Sequence, residues 1–153
     1  MNDQELADLA ERYRRTLRLA VFVSRRFDAA TGLSTTQTTI LNMLADEGLR
    51  MGAIAENLGV RVPSATEQVG RLERAGLVER RADPTDARAV VVHRTAAGDD
   101  AAADANRRRT ARMVAAFSGL DPDELEALRA ALPVMDKINE RLHTLSNLKE
   151  NIV

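Results

Sequence analysis

The chain has 153 residues, 44% of them apolar and 29% charged, which suits one domain with a hydrophobic core and is too apolar for a disordered chain. No apolar run reaches the roughly 18 residues of a membrane span and no basic-then-apolar leader opens the sequence, so a cytoplasmic protein without a membrane partner is expected. With no cysteine, disulfides and thiolate metal sites are excluded, and with histidine only at His93 and His143 a histidine-built catalytic or zinc site is not expected; nor is enzyme activity, a metal or a cofactor.

Residues 5–29 read as a first helix, with Leu6, Leu9, Tyr13, Leu17, Val21, Ser24 and Phe27 recurring every three or four positions. Ser34-Thr35-Thr36-Gln37 is a capping box that opens a second helix. Ile40, Leu41 and Leu44 supply its buried face and Gly48 is its expected stop. Met51, Ile54, Ala55 and Leu58 mark a short third helix, closed where Gly59 can take positive φ. Pro63 suits the first turn of a fourth, whose inner face is Ala65, Val69 and Leu72 and whose end is Gly76.

The period then changes. Leu77–Arg81 and Arg88–Thr95 are short and rich in valine, with Asp83-Pro84-Thr85-Asp86 between them, and predict a β-hairpin. An alanine-rich helix follows over 95–117. The last helix opens at Asp121-Pro122-Asp123-Glu124 and carries Leu125, Leu128, Leu132, Met135, Ile138, Leu142, Leu145 and Leu148, with a kink expected near Pro133. The first and last helices hold more apolar surface than one small central module covers. A second copy of the chain would cover it; pairing of the two helices within one chain is the alternative.

The informative stretch is 54–69, Ile-Ala-Glu-Asn-Leu-Gly-Val-Arg-Val-Pro-Ser-Ala-Thr-Glu-Gln-Val. Ala55 is small where two helices would cross, Gly59 makes the turn, and Val60, Ala65 and Val69 lock the second helix onto the first, as a helix-turn-helix requires. In this order, and with Leu33-Ser34, Gln37, Ile40 and Leu41 before it, the sequence resembles the MarR (multiple antibiotic resistance regulator) family of winged-helix regulators. The run from Arg71 to Arg80, and Asp86 and Arg88 followed by Val90, Val92 and Thr95, resemble that family's passage from recognition helix into wing.

The resemblance covers nearly the whole chain and implies a mainly α fold with a small β-hairpin wing, in the order α-α-α-α-β-β-α-α. Within a single domain over 1–153, residues 33–98 would form the winged helix-turn-helix lobe, and 1–30 and 99–153 the dimerisation helices of an interlocked homodimer. It also implies an effector pocket between lobes and dimer helices, for a small aromatic or phenolic molecule. The partner is double-stranded DNA. The N-terminal part of a recognition helix faces base edges in the major groove, which assigns Pro63, Ser64, Thr66, Gln68 and Arg71 to the bases and Arg61 to a phosphate. Arg88 at the hairpin tip would enter the minor groove, with Asp86 orienting it. For Arg71, a solvated pairing with Glu67 stays open.

Three positions depart from the family pattern. Glu67 stands where a basic residue is common, Ala87 replaces a second wing arginine, and Arg94 sits where leucine usually ends the strand, its stem expected over apolar surface and its head in water. The function expected is a transcriptional repressor on a pseudo-palindromic operator. Glu67 and the net charge of −1 motivate the competing class, a winged-helix dimer that binds a protein partner and little DNA.

Overall fold

The computed structural model describes residues 1–28, 32–83, 85, 86 and 88–150, with side chains described for all of these except 27, 28 and 146–150. The expectations at Ala87 and Pro84, and for the side chains of Phe27 and Leu148 in the two terminal stripes, lie outside the described residues. The element order is α1 (Asp3–Asp28), α2 (Thr35–Met43), β1 (Leu49–Arg50), α3 (Met51–Leu58), α4 (Val62–Arg74), β2 (Val78–Ala82), β3 (Val90–Arg94), α5 (Ala96–Phe117) and α6 (Pro122–Glu150). The chain forms two compact units, 1–109 and 110–153.

Local chemistry accounts for the boundaries in the first unit. Ser34 caps α2 reciprocally: its Oγ accepts the Gln37 N–H at 3.1 Å, and its own N–H donates to Gln37 Oε1 at 2.9 Å. Gly59 and Gly76 adopt φ of 63° and 72°, which lets the chain reverse after α3 and α4. There the N–H groups of Val60 and Leu77 return to the carbonyls of Ala55 and Leu72 at 3.0 and 2.9 Å. The core that these helices enclose is built from Ile40, Leu41, Leu44, Ile54, Ala55, Ala65, Val69, Leu72, Val78, Val92 and Ala102. All the positions expected to face inward on α2 and α4 are buried.

Two features differ from the sequence reading. A third strand, β1, makes the sheet three-stranded and antiparallel in the order β1-β3-β2, with Leu49 opposite Val92, Arg50 opposite Val91, and Val78 opposite Arg94. Two residues show no periodicity, so only pairing with β3 reveals the strand. Gly48 does not close α2, which ends at Met43 with Leu44 as its cap. Gly48 lacks positive φ; it is small because a Cβ there would lie 2.4 Å from His93 Cε1 and 2.5 Å from Val91 Cγ1 on β3.

In the second unit, Asp121 and Glu124 form another capping box: Asp121 Oδ1 accepts the Glu124 N–H at 2.8 Å and Glu124 Oε2 accepts the Asp121 N–H at 3.0 Å. The helix α6 then runs without a break through Pro133. Leu132, Leu142 and Leu145 on this helix are exposed, as are Leu6, Leu9, Val21 and Phe22 on α1.

Candidate nucleic-acid interface

The helix α4 buries Ala65, Val69 and Leu72, and that fixes which of its side chains face outward. Pro63, Ser64, Thr66 and Arg71 are exposed, together with Arg61 just ahead of the helix. Gln68 sits at the edge of the buried stripe and is half-buried, so it reaches outward less freely than its neighbours. The Thr66 hydroxyl donates to the Val62 carbonyl at 2.8 Å. Its one proton is thereby used, and it offers only acceptor capacity to a base edge.

Arg61 occupies the N-cap position of α4 with extended backbone (φ −71°, ψ 148°) and no side-chain capping bond. Serine, threonine, aspartate or asparagine at that place would satisfy a first-turn N–H; arginine cannot, since it has no acceptor. Pro63 has no N–H and the Ser64 N–H donates to the Arg61 carbonyl at 3.0 Å, so the helix begins with the Val62 N–H, the positive end of its dipole and a guanidinium without an ion pair among the described residues. All three favour an anion such as a phosphate. Arg71 is held differently, by Glu67 Oε1 at 2.6 Å. Both partners are exposed, and such pairs contribute little in water. The solvated pairing is thus the arrangement Arg71 adopts here, through one nitrogen of its guanidinium, and Glu67 competes with a base for that group. Glu73 bridges to Arg80 of β2 at 3.1 Å.

The wing is organised by Asp83, which follows β2. Its Oδ1 accepts the Thr85 N–H at 2.8 Å and the Thr85 hydroxyl at 2.6 Å, an Asx-turn. Its Oδ2 accepts Nε and Nη2 of Arg50 at 2.8 and 2.6 Å. Asp86 Oδ1 accepts the backbone N–H of Arg88 at 3.1 Å, so Asp86 acts on the backbone of Arg88 and leaves its guanidinium alone. The Arg88 side chain is exposed and has no ion pair among the described residues. Sequence reasoning missed Arg50. The signal was present: a helix, α3, that starts at a residue with no capping ability.

The Thr85 hydroxyl first, then the Thr85 N–H and the Arg50 guanidinium, hold the Asp83 carboxyl well below the usual carboxylate range. A carboxyl depressed on folding stabilises the fold above its unfolded pKa of about 3.9, and loses that contribution as pH falls toward its lowered value. In thermal melts across a pH series, the difference between wild type and Asp83→Asn is expected to stay constant from about pH 7 to 5 and to shrink below about pH 4. A difference that grew on acidification would contradict the assignment.

Arg94 overturns one expectation. Its side chain is only 16% exposed, and its head is not in water: Nη1 donates to the Leu41 carbonyl at 3.0 Å and Nε pairs with Asp99 of α5. An open carbonyl in the last turn of α2 and a carboxylate in the first turn of α5 give the guanidinium two acceptors within reach, which replaces hydration. Next to it, Asn106 Nδ2 donates to Asn42 Oδ1 at 2.9 Å, again joining α2 to α5. Arg107 and Arg108 both pair with Asp104, at 3.2 and 2.8 Å, on an exposed helix face. Among the described residues, no group of three or more His, Asp or Glu could hold a metal ion, and no helix is long and apolar enough to cross a membrane.

Comparison with known proteins places this geometry. A profile of the MarR family matches residues 31–89, the stretch from the approach to α2 through the wing tip. An HTH-type transcriptional regulator of Mycobacterium leprae is 34% identical over 110 residues, 71% of this chain and 77% of that protein. Among solved structures, RV1404 from Mycobacterium tuberculosis superposes with a TM-score of 0.72 at 20% identity, over 92% of this chain and 96% of that one. A MepR mutant of S. aureus bound to an oligodeoxyribonucleotide shares the fold at a TM-score of 0.59 and 20% identity, over 84% of this chain and 96% of that one.

Proposed function

The chain belongs to the MarR family and is a DNA-binding transcription regulator; from that premise we propose that it works in the cytoplasm as a homodimeric repressor of a pseudo-palindromic operator, released by a small-molecule effector. The observation that carries the reading is the pair of exposed arginines without ion pairs among the described residues, Arg61 at the open start of α4 and Arg88 at the wing tip. One is suited to a phosphate and the other to the narrow, electronegative minor groove. Between them, Pro63, Ser64, Thr66, Gln68 and Arg71 would meet base edges in the major groove. The MepR mutant bound to an oligodeoxyribonucleotide supports the use of this fold on DNA.

Exposed apolar surface supports the dimer. Leu6 and Leu9 on α1 are 52% and 53% exposed, and Leu142 and Leu145 on α6 are 53% and 58% exposed. A second copy is the partner that would bury such stripes at both chain ends. Residues 33–98 are then the reading lobe, present twice, and 1–30 with 99–153 the dimerisation helices of a single domain. Two recognition helices about 34 Å apart read successive turns of one duplex face. An effector that binds one spacing of the lobes better than the other shifts the population and releases DNA.

A duplex selected by the protein from random sequence tests this. The expected result is a site with two-fold symmetry, bound by a dimer with an affinity that falls steeply with salt. The Glu67–Arg71 pair and the near-neutral charge favour one other reading, a winged-helix dimer that docks on a protein. A protein that selects no sequence, or binds duplexes with little salt dependence, would establish that reading instead. A monomer at micromolar concentration would remove the dimer.

A further inference from the structure

Both helices of the helix-turn-helix begin with an arginine where a capping residue would stabilise them. Arg50, at the N-cap position of α3, makes no side-chain capping bond, and unlike Arg61 its guanidinium is engaged. It reaches across to the wing, giving Asp83 Oδ2 two hydrogen bonds at 2.6 and 2.8 Å and lying 4.0 Å from Asp86 Oδ2. The side chain of Asp83 is 9% exposed at this bridge. The same carboxylate closes the Asx-turn through Thr85. The Asp83 N–H donates to the Ala89 carbonyl at 3.0 Å, and the Ala89 N–H to the Asp86 carbonyl at 2.8 Å. Asp86 in turn fixes the Arg88 N–H. From Arg50 to Arg88 the connection is continuous.

We infer that Arg50 is a positioning residue for operator binding, which sets the conformation of the wing tip, and hence the reach of Arg88, from the start of α3. The inference rests on the reading that the wing meets DNA. Arg50 is not itself a DNA ligand in this arrangement, because its charge is neutralised by Asp83. Serine or threonine at position 50 would cap α3 but could not reach the hairpin. The loss of a cap at α3 is therefore offset by a tether between the two parts of the lobe that grip the duplex.

The test uses the full chain and a duplex that the wild-type protein selects from random sequence. Arg50→Met is expected to weaken binding about 5- to 100-fold, the range for losing a specific wing contact, and to bring no further loss in an Arg88→Ala background. A direct phosphate contact by Arg50 would instead add its full effect to that of Arg88→Ala, and full additivity overturns the inference. Asp83→Asn supplies a sign. Removing a carboxylate near DNA tightens binding if charge alone matters, whereas loss of the tether weakens it, so tighter binding also overturns it. Arg50→Lys, which keeps the charge but offers one donor nitrogen in place of two, is expected to fall between wild type and Arg50→Met. Should Arg88→Ala bind like wild type, the wing is no DNA contact, and the underlying reading fails together with the inference. Should Arg88→Ala weaken binding while Arg50→Met does not, only the inference fails.

Discussion

Gly98→Ala is expected to lower the unfolding free energy by about 3 kcal/mol, the upper end for forcing extra volume into a packed site. Gly98 is buried in the first turn of α5. A Cβ there would lie 2.0 Å from the Leu77 carbonyl oxygen and 2.7 Å from Arg94 Cγ. The first of these is backbone and cannot rotate away. The Leu77 carbonyl accepts the Thr95 N–H at 3.1 Å, the Thr95 hydroxyl donates to the Gly76 carbonyl at 2.7 Å, and the Gly98 N–H donates to that hydroxyl at 3.1 Å. Relief of the clash would break this knot between the end of α4 and the start of α5, and would displace the Arg94 stem. Gly52→Ala is the control, since nothing lies within 4 Å of its added methyl and a helical alanine gains roughly 0.5–1 kcal/mol over glycine. Urea unfolding of both variants measures the contrast. A Gly98→Ala protein as stable as wild type would mean that α5 does not start against Leu77.

Arg88→Ala is expected to weaken operator binding by about 1–3 kcal/mol and to reduce the salt slope by about one for each wing that touches a phosphate. The guanidinium it removes is exposed and bonded to nothing among the described residues. No partner is orphaned, and the melting temperature should stay that of wild type. The loss is therefore one of recognition alone. Titrations at several ionic strengths give both quantities; if affinity and slope are both unchanged, the wing has no part in binding.

How much of this was legible in the sequence depended on the range of the interaction. The helices announce themselves through local chemistry, the Ser34 and Asp121 capping boxes, the turns at Gly59 and Gly76, and the spacing of Ala65, Val69 and Leu72. What escaped depends on partners distant in sequence. The strand β1 exists only because β3 lies beside it. Gly48 is small because of His93, 45 positions away. Arg94 reads as a misplaced charge until Leu41 and Asp99 come within reach. For Arg50 the sequence offers only the missing cap of α3, and the role proposed for it needs the acceptor that lies 33 residues on. The proposed recognition residues are intermediate: burial of one face of α4 selects the outward set, but only the folded helix moves Gln68 to the margin and gives Arg71 to Glu67.

The direct passage from β1 into α3 has a mechanical consequence. Arg50 ends the strand and Met51 begins the helix, with no residue between them to act as a swivel, and the strand is laced to the same β3 that returns from the hairpin tip. Tilting the hairpin must therefore turn the helix. On the proposed function, the lobe would close on a duplex as one stiff jaw, and release would move the whole jaw rather than relax a finger.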